Sequence, residues 1–276
     1  MTDRSNPLIT ASALAQILTD VTVLDVRWQL GAPSQRPAYD QGHLPGAAWV
    51  EFEAACSGEP GKDGRHPMPD RHVFEAAMRE AGVRDDRPVV VYDAANSLAA
   101  SRCWWLLRHF GKQDVRVLDG GYAGWVDAGL AVTDEAGSVI PGDFTATVGE
   151  IDLIDADDTA RIAAEGILLD ARPADRFAGH NETIDPVAGH IPGAVSAPAL
   201  TNVTADGHFL PADELAARFG ELGVTEDSRV GVYCGSGVQA AHLALALQIA
   251  GVAPRPEVYV GSWSHWITDP ARPVAR

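Results

Sequence analysis

Cysteine is nearly missing from this chain: Cys56, Cys103 and Cys234 are the only three in 276 residues. An odd, sparse set makes a poor disulfide framework, so a reducing, cytoplasmic setting is expected. No Cys-x-x-Cys pair occurs, which argues against a zinc ribbon and against a thioredoxin-type redox motif. Long apolar runs are missing as well. None approaches the ~20 residues needed to span a bilayer, and Met1 to Pro7 lacks the apolar core of a signal peptide. Positive charge is scarce: 21 Lys and Arg stand against 38 Asp and Glu, for a formal net charge of −17. That balance speaks against a nucleic-acid partner and against docking on anionic membranes. Any anionic substrate has to be drawn in by a local cationic pocket.

What is present is written twice. Leu24-Asp-Val-Arg27 recurs as Leu169-Asp-Ala-Arg172, and Gly42-His-Leu-Pro-Gly-Ala47 as Gly189-His-Ile-Pro-Gly-Ala194. Phe74 to Val83 resembles Leu215 to Val224, and Val89-Val-Val-Tyr92 matches Arg229-Val-Gly-Val-Tyr233. Val117 to Trp125 matches Val258 to Trp266. Five matches in one order, at a period far too long for a solenoid, describe a duplicated domain. The length suits two domains of roughly 130–140 residues. The expected division is residues 1–135, a Gly, Thr, Ser and Pro-rich linker at 136–149, and residues 150–276.

Each half alternates short apolar runs with amphipathic stretches. In the first, strands are expected at Val21–Leu24, Val89–Tyr92 and Val115–Leu118, with helices at Arg71–Ala81 and Leu98–Phe110. The pattern is that of an α/β fold: a mostly parallel sheet flanked by helices in each half.

Aligning the copies locates the chemistry. Tyr92-Asp93 falls on Tyr233-Cys234, so a carboxylate in the first copy stands where the second has a thiol. Cys234 closes an apolar strand run, and Gly235-Ser-Gly237 leads into a helical pattern over Gln239–Ile249. Ligands of open α/β sheets bind outside the carboxyl ends of strands. Free backbone N–H groups at a loop and helix N-terminus stabilise a thiolate there and leave it reachable, which suits nucleophilic catalysis. Gly235 and Gly237 let the loop curl until several amides converge on one point.

The paired Asp-x-Arg and Gly-His-[Leu/Ile]-Pro-Gly-Ala motifs, Leu118-Asp-Gly-Gly121, Gly261-Ser-Trp263 and Cys234-Gly-Ser-Gly-Val238 together resemble the two-domain rhodanese-type sulfurtransferases. The resemblance covers nearly the whole chain. It implies an inactive N-terminal copy and an active C-terminal one. It implies transfer of a sulfane sulfur from 3-mercaptopyruvate or thiosulfate, through a persulfide on Cys234, to cyanide, a thiol or a thioredoxin-like acceptor. No metal or organic cofactor is implied. The loop Cys-Gly-Ser-Gly-Val resembles that of the 3-mercaptopyruvate enzymes, in which a serine joins a histidine and an acid. The matching residues are Ser236, His66 and Glu53, the last standing where the family commonly has the shorter aspartate. Arg176 matches the arginine that holds the substrate carboxylate, with Gly235, Gly237 and Val238 completing the binding loop. Some relatives carry a second arginine before Gly-His-Ile-Pro-Gly-Ala. The loop here, Gly179 to Pro186, has none, although it has His180, and Gln239 stands where relatives usually carry threonine.

Other residues read as structure. His43 and His190, and Arg27 and Arg172, occur in both copies although only one has a nucleophile, so turn and ion-pair roles are expected. Arg176 has no such counterpart, which favours function. Cys103 lies in a tryptophan-rich helix and reads as core; Cys56 reads as a loop residue without chemistry. A cysteine-dependent phosphatase needs Cys-x5-Arg, and the arginine position here is Ala240. A non-catalytic sulfur-carrying or regulatory module is the remaining alternative.

Overall fold

The computed structural model describes residues 6–135, 137, 139–147, 153–253 and 255–276. The chain packs as two compact units, one comprising Met1–Gly58, Pro69–Glu150 and Val203–Phe209, the other Glu59–Met68, Ile151–Asn202 and Leu210–Arg276. Two short segments depart from a simple division at the linker. Val203–Phe209 joins the first unit, where the Phe209 amide donates to Asp119 Oδ1 at 2.9 Å and His208 Nδ1 lies 3.3 Å from Asp119 Oδ2. Glu59–Met68 joins the second, where the Arg65 amide donates to Ser264 Oγ at 3.0 Å. Of the expected linker, residues 137 and 139–147 are described. Part of it packs on the first unit: Phe144 is buried, edge-on to Phe74, and its carbonyl accepts Arg79 Nε at 2.7 Å.

The first unit runs β1 (Leu8–Ile9), α1 (Ala11–Ile17), β2 (Thr22–Asp25), α2 (Arg36–Gln41), β3 (Ala48–Trp49), α3 (Phe52–Cys56), α4 (Arg71–Glu80), β4 (Val89–Tyr92), α5 (Leu98–His109), β5 (Val115–Leu118) and α6 (Gly121–Asp127). The second runs α7 (Ala156–Glu165), β6 (Ile167–Asp170), α8 (Ala174–Phe177), β7 (Val195–Ser196), α9 (Ala212–Glu221), β8 (Val230–Tyr233), α10 (Val238–Ala250), β9 (Glu257–Val258) and α11 (Ser262–Trp266). The strands lie in order β1-β5-β4-β2-β3 and β7-β6-β8-β9, and all pairings are parallel. The second sheet repeats the first. Asp25 pairs with Tyr92 and Asp170 with Tyr233, while the parallel bridge Leu153–Val258 stands in for β1 on β5.

Apolar residues on both faces of β4 and β8 put these strands deep inside their sheets, where every residue is buried. α10 is apolar around nearly its whole circumference, and Ala240 to Leu247 are all buried. α7, by contrast, is amphipathic and is capped by the Asp155 carboxylate, which accepts from the amides of Asp157 and Asp158.

The repeated motifs brace the strand ends in the same way twice. Arg27 forks onto Asp25 and reaches the Gly42 carbonyl at 2.8 Å; Arg172 forks onto Asp170 and reaches the Gly189 carbonyl at 2.7 Å. Burial pulls the Arg172 guanidinium down, but Asp170 outweighs it and holds the group above its ordinary value. The Tyr92 and Tyr233 hydroxyls accept the amides of Leu44 and Ile191. His43 and His190 bond the carbonyls of Tyr39 and Phe177 through Nδ1 and stack on those rings. All four repeated residues are structural, as their presence in both copies implies. Cys56 departs from expectation: it ends α3 and is fully buried. A hydrogen bond with Cys56, together with burial, pushes the Cys103 thiol well up, which disfavours its thiolate. Among the described residues, no helix is long and apolar enough to cross a membrane, and no cluster of three or more His, Cys, Asp or Glu could hold a metal ion.

Candidate active site

Cys234 follows the last residue of β8, and its loop is shaped by the start of α11. The amides of Trp263 and Ser264 donate to the carbonyls of Cys234 and Gly235, each at 2.9 Å. With those two carbonyls drawn toward α11, the next two amides turn inward. Ser236 N–H lies 3.4 Å and Gly237 N–H 3.1 Å from Cys234 Sγ. Gly237 takes φ 83°, a left-handed conformation that costs glycine little and lets α10 begin at Val238 with its N-terminus toward the sulfur. Ser262 fastens the other side. Its hydroxyl accepts the Cys234 amide at 3.0 Å, donates to the Tyr259 carbonyl at 2.9 Å and stands 3.9 Å from Sγ. Converging main-chain donors of this kind are what a sulfur bearing negative charge requires.

Ser236 faces two ways. Its amide is directed at Sγ, and its hydroxyl lies 2.7 Å from His66 Nδ1. Both side chains are buried, His66 at 3% and Ser236 at 6% exposure, so their hydrogen bond lies in a site largely closed to water. A hydroxyl on an imidazole can pass a proton to or from a group bound at the sulfur.

Cations gather over the same loop. A methyl group placed at Gly235 would come within 3.1 Å of Arg65 Nη2 and 3.6 Å of Arg176 Nη1. Arg176, on α8, donates through Nε to Glu182 Oε2 at 3.0 Å and through Nη2 to Asp185 Oδ2 at 2.8 Å. Arg65 Nη1 donates to Asp185 Oδ1 at 2.7 Å. Burial pushes the Glu182 carboxyl up, but Arg176 and the amides of Asp185 and Ile184 outweigh it, and the group lies below its ordinary value. The two guanidiniums over the loop are thus balanced by two carboxylates, and among the described residues no net positive pocket of the kind the acidic composition calls for is present here.

The structure therefore brings together Cys234, Ser236, His66, Arg176, Gly235, Gly237 and Val238. Cys234 is only 2% exposed, less open than a reachable strand-end thiol was expected to be. Glu53 lies in the first turn of α3, where its Oε1 accepts Trp28 Nε1 at 2.7 Å. His180 is exposed and bonds through its amide to the Asp175 carbonyl, and Gln239 is half-buried on α10. Sequence reasoning passed over Arg65, Asp185, Glu182 and Ser262. Arg65 adjoins His66, and Ser262 lies inside the repeated Gly-Ser-Trp motif, but neither has a local pattern that announces its role.

The family model for the rhodanese-like domain matches this chain twice, at residues 10–128 and 152–269. A Pseudomonas aeruginosa protein named "Probable 3-mercaptopyruvate sulfurtransferase" is 46% identical over 281 residues, covering 98% of both chains. A Mycobacterium tuberculosis protein whose name assigns it to the thiosulfate sulfurtransferases is 44% identical over 285 residues, covering 100% of this chain and 99% of its own. The crystal structure of the Escherichia coli 3-mercaptopyruvate sulfurtransferase SseA superposes with a TM-score of 0.83 at 34% identity, covering 94% of this chain and 99% of SseA. With two matched domains, near-complete coverage and a cysteine cradle in the second copy, the chain belongs to the rhodanese family and is a two-domain sulfurtransferase.

Proposed function

We propose that this enzyme takes its sulfur from 3-mercaptopyruvate, or from thiosulfate, and passes it through a persulfide on Cys234 to a thiol or thioredoxin-like acceptor. The observation that carries the reading is the joint placement of two amides on Cys234 Sγ and of Ser236 Oγ on His66 Nδ1 at 2.7 Å.

In the first half-reaction the Cys234 thiolate attacks the sulfur of 3-mercaptopyruvate. A sulfur–sulfur bond forms, and the carbon–sulfur bond breaks with its electron pair moving to carbon as the enolate of pyruvate. The thiol proton of the donor is relayed through Ser236 and His66 to that carbon, leaving pyruvate and the persulfide. With thiosulfate the same attack on the outer sulfur releases sulfite, and no proton relay is needed. In the second half-reaction a thiolate or cyanide attacks the outer sulfur of the persulfide and the Cys234 thiolate leaves. The amides of Ser236 and Gly237 hold the charged sulfur before and after transfer. Arg176 supports binding of the donor's anionic group, since a guanidinium fork matches a carboxylate or sulfonate. Gly235 and Val238 complete the binding loop. Glu53 is given the orienting role through the family resemblance, and Glu53→Gln tests it.

The M. tuberculosis relative's name keeps thiosulfate as a second donor, while Ser236 on His66 favours 3-mercaptopyruvate. Thiocyanate formation with each donor, wild type against Cys234→Ser, tests the reading. Loss of both activities in the variant and a higher kcat/KM for 3-mercaptopyruvate are expected. Turnover by Cys234→Ser would remove the nucleophile, and a higher kcat/KM for thiosulfate would reverse the donor order.

A further inference from the structure

Apart from the sulfur site, the second unit holds a cavity of about 260 Å³. It lies between the segment that carries His66, the stretch leading into α7 and the start of α11. Pro67, Met68, Leu153 and Ile154 give it an apolar lining. Leu153 is 45% exposed, although its parallel bridge to Val258 fixes its place beside the sheet. An apolar side chain held open at a concave wall is what a bound hydrocarbon would cover.

Two carboxylates line the same space. Asp63 is exposed, and Asp155 caps α7. The cap uses Asp155 Oδ1, which accepts the amides of Asp157 and Asp158 at 2.9 and 2.8 Å, and leaves Oδ2 out of it. His265 adds no opposing charge at neutral pH. Burial pulls its imidazole below the ordinary value, and its Nδ1 bonds the Tyr259 hydroxyl at 2.8 Å. Arg272, whose charge is felt at His265, is held by Asp157 at 2.9 Å and Asp269 at 3.9 Å. The lining is therefore part apolar and part anionic.

We propose that this cavity binds a small organic ammonium compound, with its hydrocarbon body on Met68 and Leu153 and its charged head on Asp63 and Asp155. The net charge of −17 favours the approach of a cation. The volume falls below the range of drug-sized pockets, about 300–1,000 Å³, so the ligand is small. The inference is independent of the sulfur-transfer reading, whose donors are anions that these carboxylates repel. The site nevertheless backs onto the sulfur cradle. Met68 follows His66 by two residues, and Gly261 in the wall precedes Ser262, whose hydroxyl accepts the Cys234 amide at 3.0 Å.

Methyl NMR of the methionines tests it. The chain has three, Met1, Met68 and Met78, and Met78 is fully buried on α4 in the first unit. With carbon-13 in the methyl groups, the protein is titrated with phenethylammonium, phenethyl alcohol and phenylacetate, which share one body and differ in charge. Phenethylammonium should move the Met68 signal saturably, with a Kd of about 1 mM, and leave Met78 in place. The alcohol should bind severalfold more weakly and phenylacetate more weakly still. Asp63→Asn and Asp155→Asn should each weaken phenethylammonium about two- to fivefold, the second with the helix cap kept by the amide oxygen. No saturable movement of Met68 at about twenty times the expected Kd overturns the inference. Equal affinity for the three compounds, or wild-type affinity in both variants, overturns it too. Should Asp155→Asn fail to fold, Asp63→Asn, at an exposed position, decides alone.

Discussion

Asp93 and Cys234 hold the same station in the two copies of the domain, and in both the main chain turns its amides onto the side chain. Asp93 Oδ1 accepts from Ala95 and Ser97 at 3.2 and 3.0 Å, and Oδ2 from Ala99 and Ala100 at 2.9 and 3.2 Å. Burial pushes the Asp93 carboxyl up against the pull of those four amides. The first copy thus keeps the anion cradle with its own carboxylate inside it. The second leaves the cradle to a sulfur atom, with amides at 3.4 and 3.1 Å.

Asp93→Leu should therefore destabilise the first unit by about 1–3 kcal/mol, because buried amides lose their acceptor. Urea denaturation measures it. Persulfide formation on the folded fraction should persist, since Asp93 takes no part in the chemistry.

Ser236→Ala and His66→Ala should separate the two donors. Loss of a positioned acid–base group costs about 10²–10⁴-fold, and that loss is expected in kcat with 3-mercaptopyruvate. Thiosulfate, which needs no proton moved, should lose far less. Equal losses with both donors would remove the relay.

The two loop glycines should fail differently. Gly237→Ala forces a side chain into φ 83° and should cost about 1–2 kcal/mol of stability. Gly235→Ala puts a methyl 3.1 Å from Arg65 Nη2, the far end of a long side chain. Stability should barely change there, and the donor KM should rise. Thermal melts with kinetics on the same preparations distinguish the two effects.

Ser262→Ala removes the hydroxyl that accepts the Cys234 amide at 3.0 Å, and should cost about 0.5–1.5 kcal/mol of stability. Turnover should fall with both donors alike, because the sulfur cradle itself loosens. A loss confined to one donor would assign Ser262 to proton transfer instead.

Glu182 gives the protein a pH dependence of known sign. Its native pKa lies below the ordinary 4.5, so the stability it contributes is fully present above that value and is lost as pH falls through the lower native one. Glu182→Gln should flatten this part of the acid limb of a stability-against-pH curve measured by urea denaturation. An unchanged acid limb would show that Glu182 is not linked to folding.

Much of this was legible in the sequence, for definable reasons. The duplication exposed the sheets, because identical strand-end motifs such as Leu24-Asp-Val-Arg27 need identical braces. Val89–Tyr92 and Val115–Leu118 were bounded to the residue, since β-branched runs in a two-sided sheet have abrupt ends. The contrast of Asp93 with Cys234 located the nucleophile. The segment Glu59–Met68 was not legible as part of the second unit, because no periodicity marks a loop that docks by main-chain contacts to Ser264. Arg65 went unassigned for the same reason. Its bond to Asp185 spans a long stretch of chain, and pairing at that range leaves no trace in local pattern.

The central claim is that the amide cradle on Cys234 carries a sulfur, and mass spectrometry of the intact protein and its peptides tests it most directly. After treatment with 3-mercaptopyruvate or thiosulfate and removal of excess donor, the account predicts one added sulfur atom on the Cys234 peptide, lost on addition of cyanide and absent from Cys234→Ser. An unmodified Cys234, or sulfur found on Cys56 or Cys103 instead, would contradict it.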